Sequence, residues 1–181
     1  MLYMFLENGF EETEALATLD FIRRAKIDIK TVSDLDIVCG AHDIKVKSDI
    51  SFCDVDLSEM EGIILPGGQP GSDNLNANSK VKEILKYAYK NNLLICAICA
   101  APYILGKMGY LKGINATAYP DYQKDLEGAI ISDKKAVRDK NFITAMGMGA
   151  SFDFGYEIVK YLKDDKLAKK IKESIFADWY G

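Results

Sequence analysis

Short apolar runs alternate with amphipathic helical segments along this chain, and that alternation predicts an α/β fold with a mostly parallel central sheet covered by helices on both faces. A second observation agrees. The runs at 62–65 and 93–95 are apolar throughout rather than every second residue, as in strands buried on both faces. A third concerns continuity: no linker, repeat or low-complexity stretch interrupts the 181 residues, so one domain over 1–181 with a substantial core is expected.

Residues 1–6, Met-Leu-Tyr-Met-Phe-Leu, read as a buried strand. A helix over 11–25 follows, with Leu16, Leu19, Phe21 and Ile22 as its main apolar residues and Arg23-Arg24 at its C-terminus, where cations suit the helix dipole. Residues 27–33 alternate like a strand. Residues 36–46 and the continuation to Phe52 suggest a hairpin or edge strands turning at Gly40-Ala41. The strand at 62–65 runs into Pro66-Gly67-Gly68. A helix over 79–91 starts on Ser79 as N-cap and turns Val81, Ile84, Leu85 and Ala88 inward. The strand at 93–95 leads to a helix over 100–108. A strand pair at 136–137 and 142–144 turns through Asp139-Lys140-Asn141, and helices over 152–162 and 166–177 close the chain.

Composition excludes several function classes. The net charge is −4 and no basic run or aromatic-basic stripe appears, so no nucleic-acid partner is expected. No apolar stretch approaches the roughly 20 residues of a membrane span. The N-terminus lacks a basic n-region and a cleavage site, so export is not expected and a cytoplasmic location is. Four cysteines suit free thiols in a reducing compartment. Cys96 and Cys99 have the spacing of half a zinc site, but Cys39 and Cys53 are too far apart in sequence to supply the rest, and His42 alone could help. No metal and no organic cofactor are expected.

In a parallel sheet the reactive groups gather beyond the carboxyl ends of the strands. Three loops should meet there: 7–14, 66–72 and 96–102. Cys99 sits at a strand-to-helix turn, where helix-start N–H groups favour a thiolate, so it is a candidate nucleophile or redox sensor rather than core filler. Cys96 belongs inside the strand, which disfavours a Cys-x-x-Cys dithiol. Glu11 and Glu12 are explained by helix-dipole complementarity. Glu14 shares a helix face with Ala17, Thr18 and Phe21, and spacing leaves open whether it points into the site. The backbone N–H groups of Gly67 and Gly68, with that of Ala100, are candidates for an oxyanion hole beside the thiol.

Taken together, Gly9-Phe10-Glu11-Glu12-Thr13-Glu14, Leu65-Pro66-Gly67-Gly68, Ala97-Ile98-Cys99-Ala100-Ala101-Pro102, Ala118-Tyr119-Pro120 and the run Gly147 to Phe154 resemble the DJ-1/PfpI superfamily, in its DJ-1 (ThiJ-like) branch. The resemblance covers nearly the whole chain. It implies a flavodoxin-like, class I glutamine amidotransferase-like three-layer α/β/α sandwich and a homodimer. It also implies Cys99 as a strained nucleophile-elbow cysteine prone to sulfinate formation, Glu14 as the carboxyl group facing it, and Gly68 and Ala100 lining the anion pocket. Two departures narrow the chemistry. Where PfpI-type peptidases place a histidine after the nucleophile this chain has Ala100, and where some glyoxalase-type members carry another it has Tyr119, a possible substrate-orienting group but a poor base near neutral pH. The one histidine, His42, reads as a surface turn residue, so a Cys-His-acid hydrolase is hard to assemble unless His42 reaches across from this chain or its dimer mate. The expected activity is cofactor-free glyoxalase or deglycase chemistry on a small carbonyl substrate, an α-oxoaldehyde, through Cys99 and Glu14. A non-enzymatic redox sensor or chaperone acting through a Cys99 sulfinate is the first alternative, and a cysteine peptidase or amidase the second.

Overall fold

The computed structural model describes residues 1–177. Its first strand, β1 (Leu2–Phe5), is buried along its whole length and leads into α1 (Glu12–Arg24). β2 (Ile29–Val32) follows, then the two-stranded hairpin β3 (Ile37–Cys39) and β4 (Lys45–Lys47), a 3-10 turn at Phe52–Asp54, and β5 (Gly62–Leu65). α2 (Gly71–Ala77) and α3 (Ser79–Lys90) lead to β6 (Leu94–Ile98) and the short α4 (Pro102–Lys107). β7 (Asn115–Ala116) and β8 (Ile130–Ile131) form a small parallel ribbon around a 3-10 segment, Pro120–Asp125. β9 (Ala136–Asp139) turns into β10 (Phe142–Ala145), and α5 (Ser151–Leu162) and α6 (Asp165–Ser174) complete the described chain.

The central sheet has six strands in the order β2-β1-β5-β6-β10-β9, all parallel except for the antiparallel edge strand β9. Side chains alternate across it and divide the core in two. Leu2, Met4, Ile64, Cys96, Ile98 and Ile143 pack against Phe21, Ile22, Phe154 and Ile158 of α1 and α5. Tyr3, Phe5, Ile63, Leu65, Ile95 and Ala97 pack on the other face against Val81, Leu85, Ile104 and Leu105 of α3 and α4. Strands buried on both faces read as continuous apolar runs, which is why the sequence marked them. No helix among the described residues is long and apolar enough to cross a membrane.

Several local expectations are corrected. The N-cap of α3 is Asn78, whose Oδ1 accepts the N–H of Lys80 at 2.9 Å, and Ser79 is the first helical residue. β6 runs on through Cys96 to Ile98, so strand gives way to turn within one residue of Cys99. The helix beyond begins only at Pro102, whose missing N–H suits a first-turn position. The sequence did not mark α2, β7 or β8. The expected last helix over 166–177 is α6, ending at Ser174.

The strand order is what locates the site. β1 lies between β2 and β5, so the chain's winding reverses there and a crevice opens beyond the ends of β1 and β5. The loops after β1, β5 and β6 face that crevice side by side.

Candidate active site

Cys99 follows β6 directly and adopts φ +64°, the left-handed region that a side chain enters at a cost of about 1–3 kcal/mol. Two backbone hydrogen bonds hold it there. Its N–H donates to the Ala145 carbonyl at the end of β10 (2.9 Å), and its own carbonyl accepts the Tyr119 N–H (2.9 Å). The chain therefore bends sharply between neighbours that fix both sides of the peptide.

Glu14 comes to the same point from α1. The Glu11 carboxylate caps the helix by accepting the Glu14 N–H at 2.6 Å, and the Glu14 side chain turns inward until the residue is 1% exposed. Its Oε2 accepts the Gly67 N–H at 2.9 Å. Its Oε1 is buried and makes no hydrogen bond of ordinary geometry, yet the Cys99 thiol is close enough to act on the carboxyl's proton affinity. Gly67 makes the approach possible. A Cβ there would lie 2.5 Å from Cys99 Cβ and 2.6 Å from Glu14 Oε2. Gly68 follows at φ +90°, which turns its backbone toward the sulfur.

These contacts set unusual proton affinities. Burial, assisted by the negative charge of Glu11, pushes the Glu14 carboxyl up to about 7, against the opposing hydrogen bonds of Cys99 and Gly67. Burial and the facing Glu14 carboxylate push the Cys99 thiol up to about 12, while the N–H groups of Gly68 and Ala100 favour the thiolate. The Glu14 contribution to Cys99 reverses when the carboxyl takes a proton: the repelling charge is gone and the O–H can donate to sulfur. Below the titration of Glu14 near 7 the pair is neutral with both groups protonated; above it the pair carries one negative charge and one proton, which either group can hold. Cys96, fully buried in the sheet, is held as a neutral thiol by burial alone.

Cys99 and Glu14 open onto a hollow of about 570 Å³ whose walls include Tyr119, Pro120, Met146 and Met148, with Lys135 and His42 at its margin. Tyr119 is 47% exposed at the rim. Among the described residues, Glu11, Glu12 and His42 group their ligand atoms within 4.8 Å of one another. Both carboxylates are already engaged, Glu11 on the Glu14 N–H and Glu12 on the turn that carries His42.

The sequence profile of the DJ-1/PfpI family matches residues 1–161. The chain belongs to the DJ-1/PfpI family. Its relatives include DJ-1 proteins. Protein dj-1beta of Drosophila melanogaster is 31% identical over 177 residues, covering 95% of this chain and 94% of that protein. The Parkinson disease protein 7 homolog of Danio rerio is 31% identical over 179 residues, covering 93% of each. Among solved structures, a cysteine-to-alanine mutant of a DJ-1 superfamily protein from Salmonella typhimurium superposes with a TM-score of 0.92 at 33% identity, covering 98% of both chains. Oxidized DJ-1 of Toxoplasma gondii gives 0.92 at 26% identity, also covering 98% of both.

Within this DJ-1/PfpI site the structure brings Cys99, Glu14, Gly68 and Ala100 together, with Tyr119 alongside. It places one residue differently from expectation and shows a further contact for another. The Gly67 N–H is engaged by Glu14, so the N–H groups directed at sulfur are those of Gly68 and Ala100. His42 has the exposed ring expected of a turn residue, yet it is hydrogen-bonded to Glu12 and borders the hollow. Lys135, Met146 and Met148 were not singled out for the site, although the Gly147–Phe154 motif gave the neighbourhood of the two methionines. Lys135 carried no local signal.

Proposed function

We propose that this DJ-1/PfpI protein converts small α-oxoaldehydes such as methylglyoxal to 2-hydroxy acids without a cofactor, with deglycation of early glycation adducts as an extension of the same chemistry. The observation that carries the reading is the buried Glu14 Oε1 beside the Cys99 thiol, in a carboxyl whose proton is exchangeable near pH 7. Glu14 takes the thiol proton as sulfur attacks the aldehyde carbon and returns it to the new oxyanion, giving a hemithioacetal. The Gly68 and Ala100 N–H groups are the donors for that oxyanion. The hydrogen on the former aldehyde carbon then moves to the neighbouring ketone carbon, which turns the adduct into a thioester of the hydroxy acid. Water releases the acid and restores the thiol. The test is lactate formation from methylglyoxal: Cys99→Ala should abolish it, and equal rates would end the proposal.

A second reading uses the same groups. Peroxide oxidises Cys99 to a sulfinate, whose oxygens accept the Gly68 and Ala100 N–H groups and the Glu14 proton, and the oxidised protein is the signal. Ala100 in place of a histidine beside the nucleophile favours these readings over a peptidase. Graded peroxide with intact-mass spectra and peptide mapping should place a two-oxygen adduct first on Cys99. First oxidation at Cys39, Cys53 or Cys96 would contradict the sensor.

A further inference from the structure

The thioester-forming step moves one proton at carbon and another at oxygen, and Glu14 can serve one of them. Leaving the second unserved would build charge on the substrate within a hollow walled by Tyr119, Pro120, Met146 and Met148. A second group able to give and take a proton near neutral pH is needed, and imidazole is the side chain suited to it.

The turn between β3 and β4 carries His42 to the margin of the hollow and is latched onto the start of α1. Glu12, 3% exposed, accepts the His42 backbone N–H at 2.6 Å and the Ile44 N–H at 3.4 Å, and lies 2.9 Å from His42 Nδ1. Gly40 makes room for this latch, since a Cβ there would collide with the Glu12 carboxylate. A carboxylate at Nδ1 fixes a proton on that nitrogen and leaves Nε2 outside that bond, on a ring that lines the hollow. The ring is 72% exposed, so a ligand can reach it. Among the described residues, the charged groups that act on it are Glu12 of α1, its N-cap Glu11 and Asp43 of its own turn, and the titratable groups that share the hollow with it are Glu14, Cys99 after β6, Tyr119 after β7 and Lys135 before β9. The hydrogen bond that His42 donates to Glu12, with that carboxylate's charge, raises the His42 proton affinity above the ordinary imidazole value.

The geometry points to His42 as a second catalytic acid–base group of this site and to Glu12 as its positioning residue, an inference that rests on the reaction proposed above. The Glu14 carboxylate removes the C1 hydrogen of the hemithioacetal as His42 Nε2–H protonates the C2 oxygen, giving an enediol. Glu14 then returns its proton to C2 while neutral His42 takes the proton of the C1 hydroxyl, giving the thioester. C1 is oxidised and C2 reduced within one molecule, and both residues end as they began. A histidine from the hairpin thus takes the place of those absent at Ala100 and Tyr119.

The chain has a single histidine, so one imidazole NMR resonance reports the site. In a Cys39→Ser, Cys53→Ser background, Cys99 is alkylated with iodoacetate or with iodoacetamide and the His42 resonance is titrated. The carboxymethyl adduct should raise the His42 midpoint by about half a pH unit over the neutral carbamidomethyl adduct, through a charge in the shared hollow. Glu12→Gln should lower the midpoint in both. Identical midpoints for the two adducts overturn the placement. With methylglyoxal, His42→Gln should lower kcat/KM about 100-fold and remove one limb of its pH profile. Normal turnover in His42→Gln overturns the role of His42 alone. No turnover by the unmodified protein overturns the reaction and the role together.

Discussion

At the scale of single residues, the site depends on how closely three backbones approach. Cys99 keeps a left-handed conformation because Ala145 and Tyr119 hydrogen-bond both sides of it, and Gly67 admits Glu14 because it lacks a Cβ. Burying the Glu14 carboxyl has a measurable consequence for stability. Its proton affinity is higher folded, about 7, than the ordinary 4.5. The associated stability is therefore fully present below pH 4.5 and lost as pH rises through 7. Glu14→Gln, which keeps an acceptor for the Gly67 N–H, should stabilise the protein at pH 8 by up to about 3 kcal/mol and change little at pH 4.5. Urea unfolding at the two pH values measures this, and an equal effect at both would show that the carboxyl is not desolvated. The sequence made Cys99, Gly68 and Ala100 legible because strand ends are marked by composition. Whether Glu14 points inward depends on Gly67, 53 positions away, and helical spacing could not decide it.

At the scale of elements, the hairpin β3–β4 is attached to α1 and to the loop before it by a few specific bonds. The Cys39 carbonyl accepts the Gly9 N–H, the Ala41 N–H donates to the Phe10 carbonyl, and Glu12 takes the turn's remaining N–H groups at His42 and Ile44. Burial opposes ionisation of Glu12, but the His42 ring and these N–H groups hold its carboxyl below the usual range. Glu12→Ala should speed amide exchange at His42 and Ile44 by about tenfold or more, the loss of one hydrogen bond to a charged group, and leave β5 and β6 protected. Unchanged exchange in the hairpin would mean that the other bonds suffice. Elements with long apolar faces were legible, and the hairpin was marked by its turn residues, while α2, β7 and β8 were missed. α2 buries Leu75 as its one large apolar side chain, and β7 and β8 have two residues each, too short for any period to register. The role of Glu12 as a latch was invisible because its partners lie 30 positions on, so helix-dipole complementarity gave only part of its role.

At the scale of the whole molecule, the order β2-β1-β5-β6-β10-β9 puts the reversal of winding between β1 and β5. Alternation divides the core between the two sheet faces and leaves the carboxyl ends of β1, β5 and β6 free to meet. The fold class and the three converging loops were legible because apolar runs between helices admit few arrangements of a parallel sheet. The strand order was not, since sequence spacing does not say which strands are neighbours. What the fold accomplishes is to bring the Cys99 thiol and the Glu14 carboxyl to one wall of the hollow, where the pair can hold a single proton once the neutral state has titrated. The rate of Cys99 alkylation by iodoacetamide between pH 5 and 10, in protein lacking Cys39 and Cys53, tests that most directly. A shared proton predicts a rise with a midpoint near 7, where Glu14 titrates, then a plateau, and loss of that step in Glu14→Gln. A single alkaline rise, the same with and without the Glu14 carboxyl, would contradict it.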